Sequence, residues 1–264
     1  MADLDDLFAG LWAQYVRLNP DAETIHQLLA TRGEDIVNDH VAFRTFSDDR
    51  LGIDRIAAPF LALGYEPKDT YRFEEKKLFA RYYAHEDPSQ PKVFVSELLL
   101  HECSSKLQKT VSGLIEQLNP TECEGPEMLT SGRRWSLDAA TYEALYQESE
   151  YAGWMAAFGF CANHFTVFVN ALKTVPNIEE LADLLIRQGF TMNEAGGLIK
   201  GSTDVYLKQC STMAARIEVP FTDGPTTIPS CYYEFAERYP LADGQLYQGF
   251  VAASADKIFE STHR

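Results

Sequence analysis

The chain has 264 residues, 45% of them hydrophobic and 12% aromatic, which suffices for a sizeable core and excludes a disordered or low-complexity polypeptide. Its 39 acidic and 23 basic side chains leave a net charge of −16. No basic cluster denser than Lys76-Lys77 or Arg133-Arg134 offsets that charge, so a nucleic-acid backbone and an anionic membrane are excluded as partners.

The start, Met1 to Asp6, lacks the basic head and apolar run of a secretory signal, and no apolar stretch approaches the ~18 residues of a membrane span. Five cysteines at 103, 123, 161, 210 and 231 show no Cys-x-x-Cys spacing. They point to reduced thiols and a cytoplasmic protein.

In chain order, residues 3–17 carry Leu4, Leu7, Leu11 and Tyr15 at helical spacing behind Asp3, a capping residue; a second helix begins after Asn19-Pro20-Asp21 and stops near Gly33. Together, residues 3–33 form an N-terminal helical cover. Asp39 to Phe46 then alternates as a strand, with His40 near its start. Ser47-Asp48-Asp49 is expected to cap a helix through Ile53, Ile56 and Phe60 that Gly64 ends, and two strands, Tyr65–Phe73 and Leu78–Tyr83, follow across a charged connection. Val93 to Leu100 is a further strand carrying Glu97. His85 belongs to a turn, and His101-Glu102 to a strand rim.

Residues 101–160 read as a helical connection, with Leu107, Val111 and Leu114 in helical register; Gly132 to Trp135 and Tyr151 to Phe160 show no usable period and form either a linker or a lid. The first pattern then returns. Asn163-His164 opens a strand to Asn170, a helix runs from Pro176 to Gly189, strands are expected at Val205–Ala214 and Arg216–Phe221, and Cys231 to Arg238 carries Glu234. The sequence is therefore expected to be an α+β fold of two βαβββ modules, about 36–100 and 161–240, within a single domain spanning 1–264. Gly196-Gly197 lacks the Gly-x4-Gly-Lys-Ser/Thr order of a phosphate loop and is read as a tight connection.

Strand periodicity puts His40, Ala42 and Arg44 on one face, His164 and Thr166 on another, and Glu234 with Tyr232 and Arg238. If the modules pair their sheets, two imidazoles and a carboxylate meet in one concavity. That set binds iron(II) on one side and leaves open positions for a substrate and O2, or holds zinc to activate water. Glu234 is preferred because its strand ends the second module. Glu218 lies on another strand, and Glu97 is read as holding the matching place in module one.

The stretches His-Val-Ala-Phe-Arg-Thr-Phe at 40–46, Asn-His-Phe-Thr at 163–166, Leu-Lys-Gln-Cys-Ser-Thr-Met-Ala at 207–214 and Tyr-Tyr-Glu-Phe-Ala-Glu-Arg at 232–238 resemble the 2-oxoadipate dioxygenase/decarboxylase family, which is similar to the vicinal-oxygen-chelate enzymes. The resemblance implies paired βαβββ modules around Fe(2+), with His40, His164 and Glu234 as ligands and Arg44 as the partner of a substrate carboxylate. Gln209, Ser211 and Thr212 are candidate polar contacts to the bound acid. The implied reaction consumes a small 2-oxo acid such as 2-oxoadipate with O2 and yields 2-hydroxyglutarate and CO2. Members known for it are considerably longer than this chain.

Overall fold

The computed structural model describes residues 3–263, leaving Met1, Ala2 and Arg264, and with them part of the expected N-terminal reading, outside the described residues. Two helices, α1 (Leu4–Leu18) and α2 (Pro20–Thr31), come first. Asp3 caps α1 by accepting a hydrogen bond from the Asp6 amide at 2.9 Å, and Leu7, Leu11 and Tyr15 are its buried stripe. The first module follows as β1 (Asn38–Phe46), α3 (Ile53–Ala62), β2 (Tyr65–Phe73), β3 (Leu78–His85) and β4 (Lys92–Leu98). After α4 (Ser105–Ile115), α5 (Ala139–Glu148) and α6 (Glu150–Phe158), the second module comprises β5 (Ala162–Phe168), α7 (Ile178–Arg187), β6 (Lys200–Ser202) and β7 (Leu207–Ser211), then a hairpin of β8 (Arg216–Phe221) and β9 (Gly224–Pro229), and lastly β10 (Tyr232–Arg238). A short helix, α8 (Ala252–Ile258), follows.

Eight strands form one sheet in the order β2-β3-β4-β1-β5-β10-β7-β6. Each module thus presents its first strand at the seam, where β1 and β5 run antiparallel, and flanks it with its last strand in parallel, β4 on one side and β10 on the other. Parallel pairing requires a crossover, which α3 and α7 supply. Both helices end two residues before a glycine held at positive φ, Gly64 at +94° and Gly189 at +90°, a conformation that a side chain would strain.

Three sequence expectations are corrected. Arg216–Phe221 is a strand, but it pairs only with β9, outside the main sheet; its exposed Glu218 is held away from the face that carries the histidines. Ser47-Asp48-Asp49 does not cap α3, whose N-cap is Gly52; the Ile53 amide donates instead to Glu97 Oε2 at 3.0 Å, across 44 residues of sequence. Nor does Glu97 match Glu234. With His40 opposite Lys92 and His164 opposite Tyr232, the register makes Phe94 the counterpart of Glu234, and Glu97 that of Glu237. Glu237 does for α7 what Glu97 does for α3, accepting from the Ile178 amide at 3.2 Å. A carboxylate at a helix start favours the partial positive charge there, so the repeated pair is a repeated cap.

The stretch Tyr151–Phe158 lacks a period because every one of its residues is buried. It is core: Trp154 donates to the Ser230 carbonyl at 2.6 Å, and the Tyr151 hydroxyl lies 3.0 Å from the Thr45 amide, whose proton it accepts. No described helix is long and apolar enough to cross a membrane, and all five cysteines are buried and outside any disulfide.

Candidate metal centre

The seam brings the predicted residues together. His40 and Glu234 both stand opposite Thr166 of the central strand β5, forming one row across the sheet; Ala42, His164 and Tyr232 form the next. The two rows are two residues apart along each strand, and residues i and i+2 share a face, so all three side chains rise from the same side. Glu234 Oε2 lies 3.1 Å from His164 Nε2, and Oε1 lies 3.7 Å from His40 Nε2. One ligand atom from each of the three residues lies within 4.8 Å of the others, and all three residues are buried.

The donor set fits a metal ion. Each imidazole is held through Nδ1 by the residue before it: His40 by Asp39 Oδ1 at 2.8 Å, His164 by Asn163 Oδ1 at 3.0 Å. An acceptor at Nδ1 keeps the proton there and leaves the Nε2 lone pair facing the shared space. The Thr166 hydroxyl lies 3.0 Å from His40 Nε2 and donates to it. Asp39 is in turn gripped by Arg238 through Nε at 2.5 Å and through a second nitrogen at 2.8 Å. Burial alone would raise the Asp39 carboxyl, but the Arg238 charge and hydrogen bonds, with that of His40, hold it well below the usual range.

Burial pushes both imidazoles below their ordinary value, His164 strongly, so they are neutral donors at pH 7. Glu234 shows the complementary effect: burial pushes its carboxyl up to about 8, against the hydrogen bond from Gln209 Nε2 at 2.6 Å. Its nearest titratable neighbours are the two neutral imidazoles, at 3.1 and 3.7 Å. A cation between these three groups would favour the ionised carboxylate and the neutral imidazoles together.

The remaining candidates are placed less uniformly. Gln209 lines the cavity over the three residues. Ser211 does not: its hydroxyl pairs with that of Ser261 at 2.8 Å, and Thr212 Oγ1 accepts from the Tyr233 amide at 3.0 Å. Arg44 is buried one row beyond Ala42, where it donates to Glu150 at 2.8 Å and to Thr262 at 3.1 Å with Tyr151, Trp154 and Phe259 around its guanidinium. His85 accepts from the Asp87 amide in its turn, and His101 is exposed at a rim beside Glu102.

Sequence reasoning missed the roof. The cavity is small, about 20 Å³, and Phe250, Ala255, Ile258 and Phe259 line it from the segment around α8. That segment is fastened by Ser261 to Ser211 and Asn193, by Thr262 to Arg44 and by Glu260 to Lys76 at 2.8 Å. Asp39 and Asn163 were also missed as supports, although a polar residue before each histidine was visible.

The family model of 2-oxoadipate dioxygenase/decarboxylase matches residues 7–123 and 126–246. The chain belongs to that family. Members of the 2-oxoadipate dioxygenase/decarboxylase family are enzymes, and the match includes His40, His164 and Glu234 but stops short of α8. A chloroplastic 2-oxoadipate dioxygenase/decarboxylase of Arabidopsis thaliana is 36% identical over 94% of this chain and 74% of its own length. Among solved structures, hydroxyglutarate synthase of Oryza sativa in complex with 2-oxoadipate is 33% identical with a TM-score of 0.92, covering 97% of this chain and 90% of that one. A Shewanella frigidimarina protein described as a hydrolase is 49% identical, also at a TM-score of 0.92, covering 96% and 99%. A glyoxalase-superfamily protein of Ralstonia eutropha, 23% identical at a TM-score of 0.74, shares the fold alone. The expected α+β architecture of paired βαβββ modules is thus the observed one, with the β8–β9 hairpin inserted.

Proposed function

We propose that this chain is a non-haem iron(II) dioxygenase that decarboxylates a small 2-oxo dicarboxylic acid such as 2-oxoadipate, consuming O2 and giving 2-hydroxyglutarate and CO2. The observation that carries this reading is the meeting of His40, His164 and Glu234 in one buried space, in a member of a family with that activity in its name. The rice relative's complex with 2-oxoadipate supports the substrate class. The reaction balances, since 2-oxoadipate plus O2 has the atoms of 2-hydroxyglutarate plus CO2.

Bound iron(II) would supply the redox chemistry that lets a 2-oxo acid react with O2, and two neutral imidazoles with one carboxylate leave room beside it for both reactants. The protein's own contributions can be derived from its side chains. Asp39 and Asn163 fix the two ring orientations, and Gln209 holds Glu234 by one oxygen. Phe94, Phe250 and Phe259 keep bulk water from the reacting end of the substrate. Arg44, four residues from His40 and about 13 Å along an extended strand, is read as the partner of the second carboxylate, taking the place that Glu150 fills here. Five buried cysteines outside any disulfide support a reducing compartment such as the cytoplasm.

Anaerobic loading with iron(II), metal analysis and oxygen uptake with a panel of 2-oxo acids tests the reading. Stoichiometric iron, O2 consumption and CO2 release are expected, and His164→Ala is expected to lose the metal. Metal binding without O2 uptake would move the assignment to a metal-dependent hydrolase, lyase or isomerase; full metal retention by His164→Ala would overturn the ligand set.

A further inference from the structure

Tyr232 is fully buried, yet its phenol oxygen has no hydrogen-bond partner. Burying an unpaired hydroxyl is costly, so such a group calls for an explanation. The residue sits in the wall of the metal cavity with its ring stacked on His164 at 4.6 Å and 26°. Its backbone carbonyl accepts the Tyr15 hydroxyl, which anchors the strand beneath it. The phenol is within electrostatic reach of Glu234 on its own strand and of Arg44.

The strand register shows what passes over it. His40 and Glu234 occupy one row, Ala42, His164 and Tyr232 the next, and Arg44 lies beyond Ala42 on β1. A ligand reaching from the metal residues toward Arg44 has to cross the middle row. There Ala42 contributes only a methyl group, His164 turns to the metal, and Tyr232 offers the one unpaired O–H of the three. Gln209 Oε1, on the same cavity wall, is also unpaired, but it accepts and cannot donate to an anion.

We propose that Tyr232 is a substrate-binding residue whose phenol O–H donates to an anionic oxygen of a 2-oxo dicarboxylic acid spanning the metal residues and Arg44. This rests on the function proposed above. Tyr233 serves as the internal comparison. Its hydroxyl is equally buried and unpaired, but it faces the opposite side of the sheet, among Trp12, Tyr15 and Phe235.

The test uses Tyr232→Phe and Tyr233→Phe in the full chain, with thermal unfolding of the metal-free protein, metal stoichiometry, and anaerobic calorimetric binding of 2-oxoadipate to the iron(II)-loaded protein. Both variants remove an unsatisfied buried hydroxyl, so the Tm of each is expected to rise by about 2 °C or more. Only Tyr232→Phe is expected to bind 2-oxoadipate about ten- to hundredfold more weakly, the range for a lost hydrogen bond to a charged group, at unchanged metal content. Wild-type affinity in Tyr232→Phe would overturn the proposal while leaving the function intact. A fall in Tm with loss of metal would also overturn it, by showing a structural role. If the wild-type protein takes up iron but neither binds a 2-oxo acid nor consumes O2 with one, the proposed function fails and Tyr232's role fails with it.

Discussion

Replacing Asp39 by Asn removes the negative charge on which two features depend. In the wild type the carboxylate accepts two hydrogen bonds from Arg238, at 2.5 and 2.8 Å, and a third from His40 Nδ1, with Asp39 and Arg238 each 1% exposed in their side chains. The substitution leaves the guanidinium buried without its counter-charge and turns an amide nitrogen toward its donors. Breaking a buried pair from one side costs about 3–5 kcal/mol. Arg238 keeps its bonds to the Tyr247 and Gly249 carbonyls, which places the expected loss near the lower end. At about 2 °C per kcal/mol for a chain of this size, Tm should drop by about 6–7 °C. The same change loosens the orientation of His40, so metal affinity should fall about 10–100-fold. Thermal unfolding of the metal-free protein and metal titration check the two effects separately. The double variant Asp39→Leu with Arg238→Met should lose less stability than Asp39→Asn, because no charge is stranded. A single variant within 1 kcal/mol of wild type, with unaltered metal affinity, would refute the account of Asp39 as the electrostatic support of His40.

Glu97→Ala should cost about 1 kcal/mol through loss of the bond that starts α3 and should leave metal stoichiometry untouched; loss of metal in that variant would return Glu97 to the ligand candidates. In the metal-free protein Glu234 holds its proton up to about pH 8, whereas the unfolded chain releases it near 4.3, so this group makes stability fall as pH rises through that window. The imidazoles act in the opposite direction, because the unfolded chain binds more protons below about 6.5, and they erode stability as pH falls. Metal binding near pH 7 should therefore release about one proton from Glu234 and tighten toward pH 8; calorimetric titration in buffers of differing ionisation enthalpy measures this, and zero release would contradict it.

The two histidines were legible because each opens an apolar, β-branched run directly after a polar residue, and the repeat joined them to a late acidic strand. What could not be read depends on pairing across long separations. Glu97 looked equivalent to Glu234 until the register showed an offset that puts Phe94 there instead. Arg44 meets Glu150 across 106 residues. The Arg216 strand has ordinary strand composition, and composition does not say which sheet a strand joins. Helix α6 hid its period by being buried on all sides, and α8 is only seven residues long, too short to show a stripe.

The β1–β5 seam has a practical consequence. One nitrogen donor belongs to the first repeat, while the other and the carboxylate belong to the second. If the polypeptide were cut in the connection between them and the pieces purified apart, neither would own a complete coordination set. Reunion of the fragments could then be followed by the ion itself, since tight capture would require the two edges to zip together.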